Sequence, residues 1–138
     1  MSTLGYVPGA WDMFHVGHLN MLKRARERCD RLVVGVVTDD ALQEAKGKLP
    51  VVPFEERLEV VRSLTLVDEV VRDFSSDKLE VWGRVGFDVV FKGDDWRGTP
   101  KGDRLERDMS AVGVRVSYFP YTAHTSSTLL RALLAERT

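Results

Sequence analysis

Short apolar runs alternate with amphipathic stretches from one end of the chain to the other, the pattern of a parallel sheet whose strands are joined by helices. The runs Leu4 to Val7, Leu32 to Thr38, Glu69 to Arg72, Asp88 to Phe91 and Val114 to Phe119 predict five strands. Between them, Leu19, Leu22, Ala25 and Cys29 share one helical face, as do Phe54, Leu58 and Val61, and then Leu105, Met109 and Val112. Thr125, Ser126, Ser127 and Thr128 are N-cap candidates ahead of Leu129, Leu130, Leu133 and Leu134, which predicts a C-terminal helix. Lys46 to Pro53 and Gly93 to Gly102 are rich in Gly and Pro and are expected to be loops. With no repeat or low-complexity tract, residues 1–138 predict one α/β domain: a doubly wound, parallel five-stranded sheet with helices on both faces. Such a sheet receives ligands at the carboxyl ends of its strands.

Composition narrows the setting. An apolar content of 43% is enough for one buried core. Lys and Arg number 20 against 21 Asp and Glu, so there is no one-sided positive field for nucleic acid, and a phosphate site must be local. The lone cysteine, Cys29, excludes an internal disulfide and a cysteine-rich zinc cluster, as a reducing cytoplasm predicts. No apolar run approaches the roughly 20 residues that span a bilayer, and the first residues do not form a signal peptide. The expectation is a cytoplasmic protein without a membrane anchor.

The chemistry concentrates where the first strand ends. Gly9-Ala10-Trp11-Asp12-Met13-Phe14-His15-Val16-Gly17-His18 precedes a helix, and such a turn offers backbone N–H groups and a positive helix end to an anion. Gly9 and Gly17 let the chain come close to a phosphate. His15 and His18, three apart, can project to one side and donate to phosphate oxygens, stabilising charge on a transferring phosphoryl group. The same pair also suits capping and packing, or two positions on a metal; with three histidines and one cysteine in the chain, no zinc-site companion accompanies them.

The pattern Gly-x-x-Asp-x-x-His-x-Gly-His after a first strand resembles the HxGH signature of the nucleotidyltransferase superfamily, which includes cytidylyltransferases and pantetheine-phosphate adenylyltransferases. Three later segments agree with it. Phe91-Lys92-Gly93-Asp94-Asp95-Trp96 resembles the Gly-Asp-Asp-Trp segment of glycerol-3-phosphate cytidylyltransferases: an acceptor there can take the cytosine amino group, and Trp96 can pack on a base or wall the pocket. Tyr121 to Thr128 stands where the family has Arg-Thr-Glu-Gly-Ile-Ser-Thr-Thr. Lys46 and Lys48 before Pro50 to Arg57 resemble the family's lysine loop and following arginine. The order and spacing of all four segments cover nearly the whole chain.

The resemblance implies a Rossmann-like fold and a cytidylyltransferase that joins CMP from CTP to a small phosphorylated alcohol, glycerol 3-phosphate-like, or to a phosphonate, with Mg²⁺ accompanying the triphosphate. It implies His15, His18 and Lys46 as catalytic residues. It places Gly9, Ala10, Trp11, Asp94, Trp96, Thr122, His124, Ser126, Ser127 and Thr128 around the nucleotide. Lys46, Lys48, Arg57 and Asp12 fall to the acceptor phosphate, and no protein metal site is expected. A homodimer is also implied. The chain departs from the family at Tyr121, Ala123 and His124, which stand for Arg, Glu and Gly. The lost arginine removes a charge-assisted phosphate contact, for which His124, Lys92, Arg97 or Lys101 can substitute. Transfer of adenylate from ATP and a non-catalytic nucleotide-binding module are the rival readings.

Overall fold

The structure is a computed structural model that describes residues 2–120 and 126–136. Five strands, β1 (Leu4–Gly9), β2 (Arg31–Val37), β3 (Glu69–Asp73), β4 (Val89–Gly93) and β5 (Arg115–Phe119), form one sheet in the order β3-β2-β1-β4-β5. Every pairing is parallel, with Val7 opposite Val34 and Val90 opposite Val116. Among the described residues six helices connect or follow them: α1 (Val16–Arg26), α2 (Asp39–Lys46), α3 (Phe54–Arg62), α4 (Lys78–Val85), α5 (Pro100–Ser110) and α6 (Ser127–Glu136). No helix among the described residues is long and apolar enough to cross a membrane.

The period of two along each strand divides the core. Val7, Val34, Val36 and Phe91 face one side with Leu22 of α1, Val61 of α3 and Phe119. Tyr6, Val33 and Val90 face the other with Val81 of α4 and Leu105 and Met109 of α5. Each fully buried side chain of this size contributes about 1.5–3 kcal/mol relative to exposure, and both faces of the sheet are covered, as a parallel sheet requires.

Two helices were not anticipated. α2 has only Ala41 and Leu42 buried among eight residues, and α4 only Val81, so neither shows a full apolar face. Their ends carry the signal instead. The Thr38 hydroxyl accepts from the Ala41 amide and caps α2, ending β2 at Val37 rather than Thr38; Gly47, at φ 70°, turns the chain out of α2 in the left-handed region that favours glycine. The Asp77 carboxylate caps α4. The expected loop from Gly93 to Gly102 is partly helical: Asp94–Trp96 make a 3-10 turn, and Thr99 caps α5 with Pro100 in its first turn. Cys29 and Val112 lie just past the ends of α1 and α5 but still pack on the core.

The crossover from β1 leads to β2 on one side of it, whereas β4, on the other side, is reached by the crossover from β3. Their separation at the carboxyl end of β1 opens the crevice that this sheet order dictates.

Candidate functional site

Two adjoining cavities open at that crevice. The first, about 270 Å³, lies between the β1–α1 loop, the end of β4 and α6, and is lined by Gly9, Ala10, Trp11, Asp12, Gly17, His18, Lys46, Lys92, Asp95, Trp96, Ser127, Thr128 and Arg131, among others. The second, about 560 Å³, lies between α2, the start of α4 and α5. Gly9, Ala10, Lys46, Lys92 and Trp96 line both, so the two form a continuous crevice.

The β1–α1 loop is held in a costly shape. Trp11 and Met13 have φ of 57° and 51°, a region disfavoured for bulky side chains. The Trp11 indole donates to the Gly35 carbonyl at 2.9 Å, and Trp11 is buried. It therefore anchors the loop and is not a platform for a base.

The two histidines share one arrangement. His15 Nδ1 accepts from the Gly17 amide at 3.0 Å, and His18 Nδ1 accepts from the His15 amide at 3.3 Å, a reciprocal cap on α1. An imidazole that accepts at Nδ1 carries its proton at Nε2 when neutral. The rings stack with centroids 3.9 Å apart. Burial lowers the pKa of both; for His18, with repulsion from His15 added and Asp12 opposing, the value falls to about 3. Both are therefore neutral N–H donors near pH 7. His15 Nε2 is buried and has no hydrogen-bond partner among the described residues. Because buried polar atoms are almost always paired, this donor is open to an acceptor from water or a ligand. The first turn of α1 also contains no acidic residue. Backbone N–H groups of this turn were expected to face an anion; those of His15 and Gly17 are taken by the imidazoles, which leaves their Nε2 atoms as donors.

Cations gather at the junction of the cavities. Burial lowers the pKa of Lys46, with Arg131, Lys101 and Lys48 adding to the effect. Burial, then Lys78 and Lys46, lower that of Lys92 to about 7 against the pull of Asp95 and Asp73. Lys92 Nζ sits 3.8 Å from the centroid of the Trp96 ring, so Trp96 walls the crevice and places Lys92. Lys101 belongs to the second cavity, and neither Lys48 nor Arg97 lines either one.

Two assignments to the acceptor phosphate are corrected. The Arg57 side chain has 0% exposure and donates to the carbonyls of Val52, Ala10 and Val37 and to Asp39 at 2.6–2.9 Å. Its fork is filled by the protein, because three loops that end at the crevice need their carbonyls satisfied. Asp12, 1% exposed, accepts from the amides of Val51 and Val52 at 2.8 Å and from Arg131 at 2.5 Å. Burial pushes its carboxyl up, but those donors outweigh it and hold it below the usual range. Asp12 thus ties the lysine loop and α6 to the first loop.

Of the nucleotide set, Gly9, Ala10, Trp11, Trp96, Ser127 and Thr128 line the first cavity. Asp94 lines neither, and Asp95 takes the place expected for it. Ser126 lies outside the lining; its hydroxyl accepts from the Leu129 amide and caps α6. Thr122 and His124 fall outside the described residues. Arg131, Asn20 and Arg24 line the cavity without having been expected. Arg131 lies one helical turn after Ser127, and that spacing was the available signal.

A family model described as cytidylyltransferase-like matches residues 6–133. The ethanolamine-phosphate cytidylyltransferase of Arabidopsis thaliana is 38% identical over 102 residues, 70% of this chain and 24% of that protein. The FAD synthase of Pyrococcus abyssi is 39% identical over 111 residues, 80% of this chain and 74% of that protein. The bifunctional protein HldE of Granulibacter bethesdensis is 41% identical over 96 residues, 69% of this chain and 20% of that protein. The chain thus spans about a quarter or less of two of these relatives and about three quarters of the third. Among solved structures, the lipopolysaccharide core biosynthesis protein from Thermoplasma volcanium has the same fold, with a TM-score of 0.75 at 23% identity over 91% of this chain and 100% of that one. With the fold, the first-loop histidines and a match over nearly its full length in agreement, the chain belongs to the cytidylyltransferase-like family of the nucleotidyltransferase superfamily.

Proposed function

We propose that this chain transfers CMP from CTP to a small phosphorylated alcohol or phosphonate. An acceptor phosphate oxygen attacks the α-phosphorus, the bond from that phosphorus to the bridging oxygen of the β-phosphate breaks, and pyrophosphate leaves with the electron pair. No side chain acts as nucleophile, so the protein's task is positioning and charge stabilisation. The observation that carries the reading is the buried His15 Nε2, without a partner among the described residues, on a ring stacked against that of His18, which itself lines a cation-rich cavity. The Nε2 atoms of His15 and His18 donate to the phosphates, Lys46 and Lys92 neutralise them, and Ser127 and Thr128 close the far wall.

Asp12 has both carboxylate oxygens engaged, which leaves Asp95 as the other carboxylate of the first cavity. No group of three or more metal-ligating side chains occurs among the described residues. This donor set fits Mg²⁺ carried on the triphosphate, with Asp95 as its protein contact; the ion would supply further charge neutralisation. The exposed leucines of α6, Leu129, Leu133 and Leu134, support a homodimer, which light scattering tests. The single free cysteine, Cys29, supports a reducing, cytoplasmic setting.

Pyrophosphate release, measured with each of the four ribonucleoside triphosphates over a panel of phospho-alcohols and phosphonates, tests the proposal. Release with CTP is expected. Release with ATP alone would replace cytidylyl by adenylyl transfer, the second reading, which the FAD synthase relative favours because FAD contains an adenylate. Binding without release under every condition would leave a nucleotide-binding module.

A further inference from the structure

The second cavity contains a device that nucleotide binding does not use. Asp73, at the end of β3, is 0% exposed. Its Oδ2 accepts from the Tyr6 hydroxyl at 2.7 Å, and its Oδ1 from Lys78 Nζ at 2.6 Å. The Tyr6 hydroxyl reaches across β2 because residue 35 is glycine: a Cβ there would lie 1.9 Å from the hydroxyl oxygen. Burial and then the Asp73 charge push the Tyr6 pKa up, so the phenol stays a donor. Lys78 Nζ also donates to the Ser75 carbonyl at 2.9 Å. An ammonium has three protons, so one donor remains, and Lys78 lines the second cavity with 14% of its side chain exposed.

A buried ion pair of this kind is a poor source of stability, since apolar packing of the same volume commonly does as well or better. What it achieves here is placement. Lys78 is held rigidly at the cavity, where its charge acts on Lys92, which Lys46 also faces. The three cations therefore lead from the triphosphate cavity into the second one. Val37, Ala41, Leu42 and Leu105 give the same cavity an apolar part, beside Lys101, Arg104 and Asp108 of α5. At about 560 Å³ the space lies within the range of about 300–1,000 Å³ that accommodates whole drug-sized ligands, far more than a three-carbon phosphate fills.

We propose that the second cavity receives the acceptor, that Lys78 held by Asp73 binds its phosphate, and that its carbon part is bulkier and more apolar than glycerol. This rests on the nucleotidyl-transfer reading and names the acceptor class for it. Lys78 is the specificity-determining contact, and Asp73 and Tyr6 position it.

Direct titration of the full chain with phenyl phosphate, glycerol 3-phosphate and CTP tests this without requiring turnover. Phenyl phosphate should bind about tenfold more tightly than glycerol 3-phosphate. Lys78→Met should weaken phenyl phosphate by about tenfold or more, with Lys78→Arg recovering most of it. Ala45→Trp, at an exposed position that lines only the second cavity, should block phenyl phosphate without disturbing the core. CTP affinity should stay within about twofold in Lys78→Arg, which keeps the charge, and in Ala45→Trp. Equal affinity for the two phosphates, or a folded Lys78→Met that keeps its phenyl phosphate affinity, would overturn the proposal. If CTP fails to bind even the unaltered chain, it is the nucleotidyl-transfer reading that falls, and the acceptor assignment with it.

Discussion

Arg131 on the last helix donates to the Asp12 carboxylate in the first loop at 2.5 Å, and next to it the Ser127 hydroxyl donates to the Asp12 carbonyl at 2.7 Å. The same carboxylate takes the amides of Val51 and Val52. One buried aspartate thus joins three segments separated by up to 119 residues, and the crevice exists because they meet. Asp12→Ala should cost about 3 kcal/mol, since it strands two amides as well as a guanidinium. Arg131→Ala should cost about 1 kcal/mol, because Arg131 is partly exposed and solvent replaces part of the contact. Urea denaturation of the two variants checks the order, which an equal loss would contradict.

His18→Ala should lower turnover by about 100-fold or more, the usual effect of removing a donor to developing charge. His15→Ala should do the same. Thermal melting would show whether the fold survives, and near-normal turnover in a folded His18→Ala protein would remove the histidines from the mechanism.

The folded protein holds both imidazoles below their ordinary pKa, that of His18 at about 3. Between that value and about 6.5 the unfolded chain binds protons that the folded one does not, so stability rises with pH across this window. The contribution is fully present above about pH 6.5 and is lost as the pH falls toward the folded value. Urea midpoints measured from neutral pH downward should fall more steeply for the unaltered protein than for His18→Gln.

Lys92, with a pKa lowered to about 7, is only partly charged at neutral pH. A triphosphate beside it favours the ammonium form and raises that pKa, so CTP binding at pH 7.5–8, roughly a unit above it, should take up protons. Calorimetry in two buffers of different ionisation enthalpy measures the uptake, and Lys92→Met should abolish most of it.

Arg57→Ala should cost about 3–5 kcal/mol, because it leaves Asp39 and three inward carbonyls without their donor. An Arg57→Ala protein that melts normally but has a raised acceptor KM would return this residue to the phosphate.

Much of this protein is decided locally. Apolar runs set between amphipathic stretches are enough for five strands, because a strand covered on both faces is apolar along its length, and the 3.6-residue spacing of Leu105 and Met109 is enough for α5, because it reports the buried side of that helix. His15 and His18 were legible for the same reason: three residues at a helix start settle how close their rings lie. α2 and α4 were not, since one or two buried side chains make no apolar stripe, and their identity lies in the caps Thr38 and Asp77. Charge roles were the least legible. Arg57, Asp12 and Lys78 are all charged residues near loops, and nothing local distinguishes a phosphate ligand from a buried tie. The meeting of the first loop with the lysine loop, the end of β2 and α6 decides it for Arg57 and Asp12, which are enclosed among backbone groups, while Asp73 at the end of β3 holds Lys78 at the edge of a cavity. A charge's role depends on which distant groups desolvate and pair it, and only the folded chain brings those groups together.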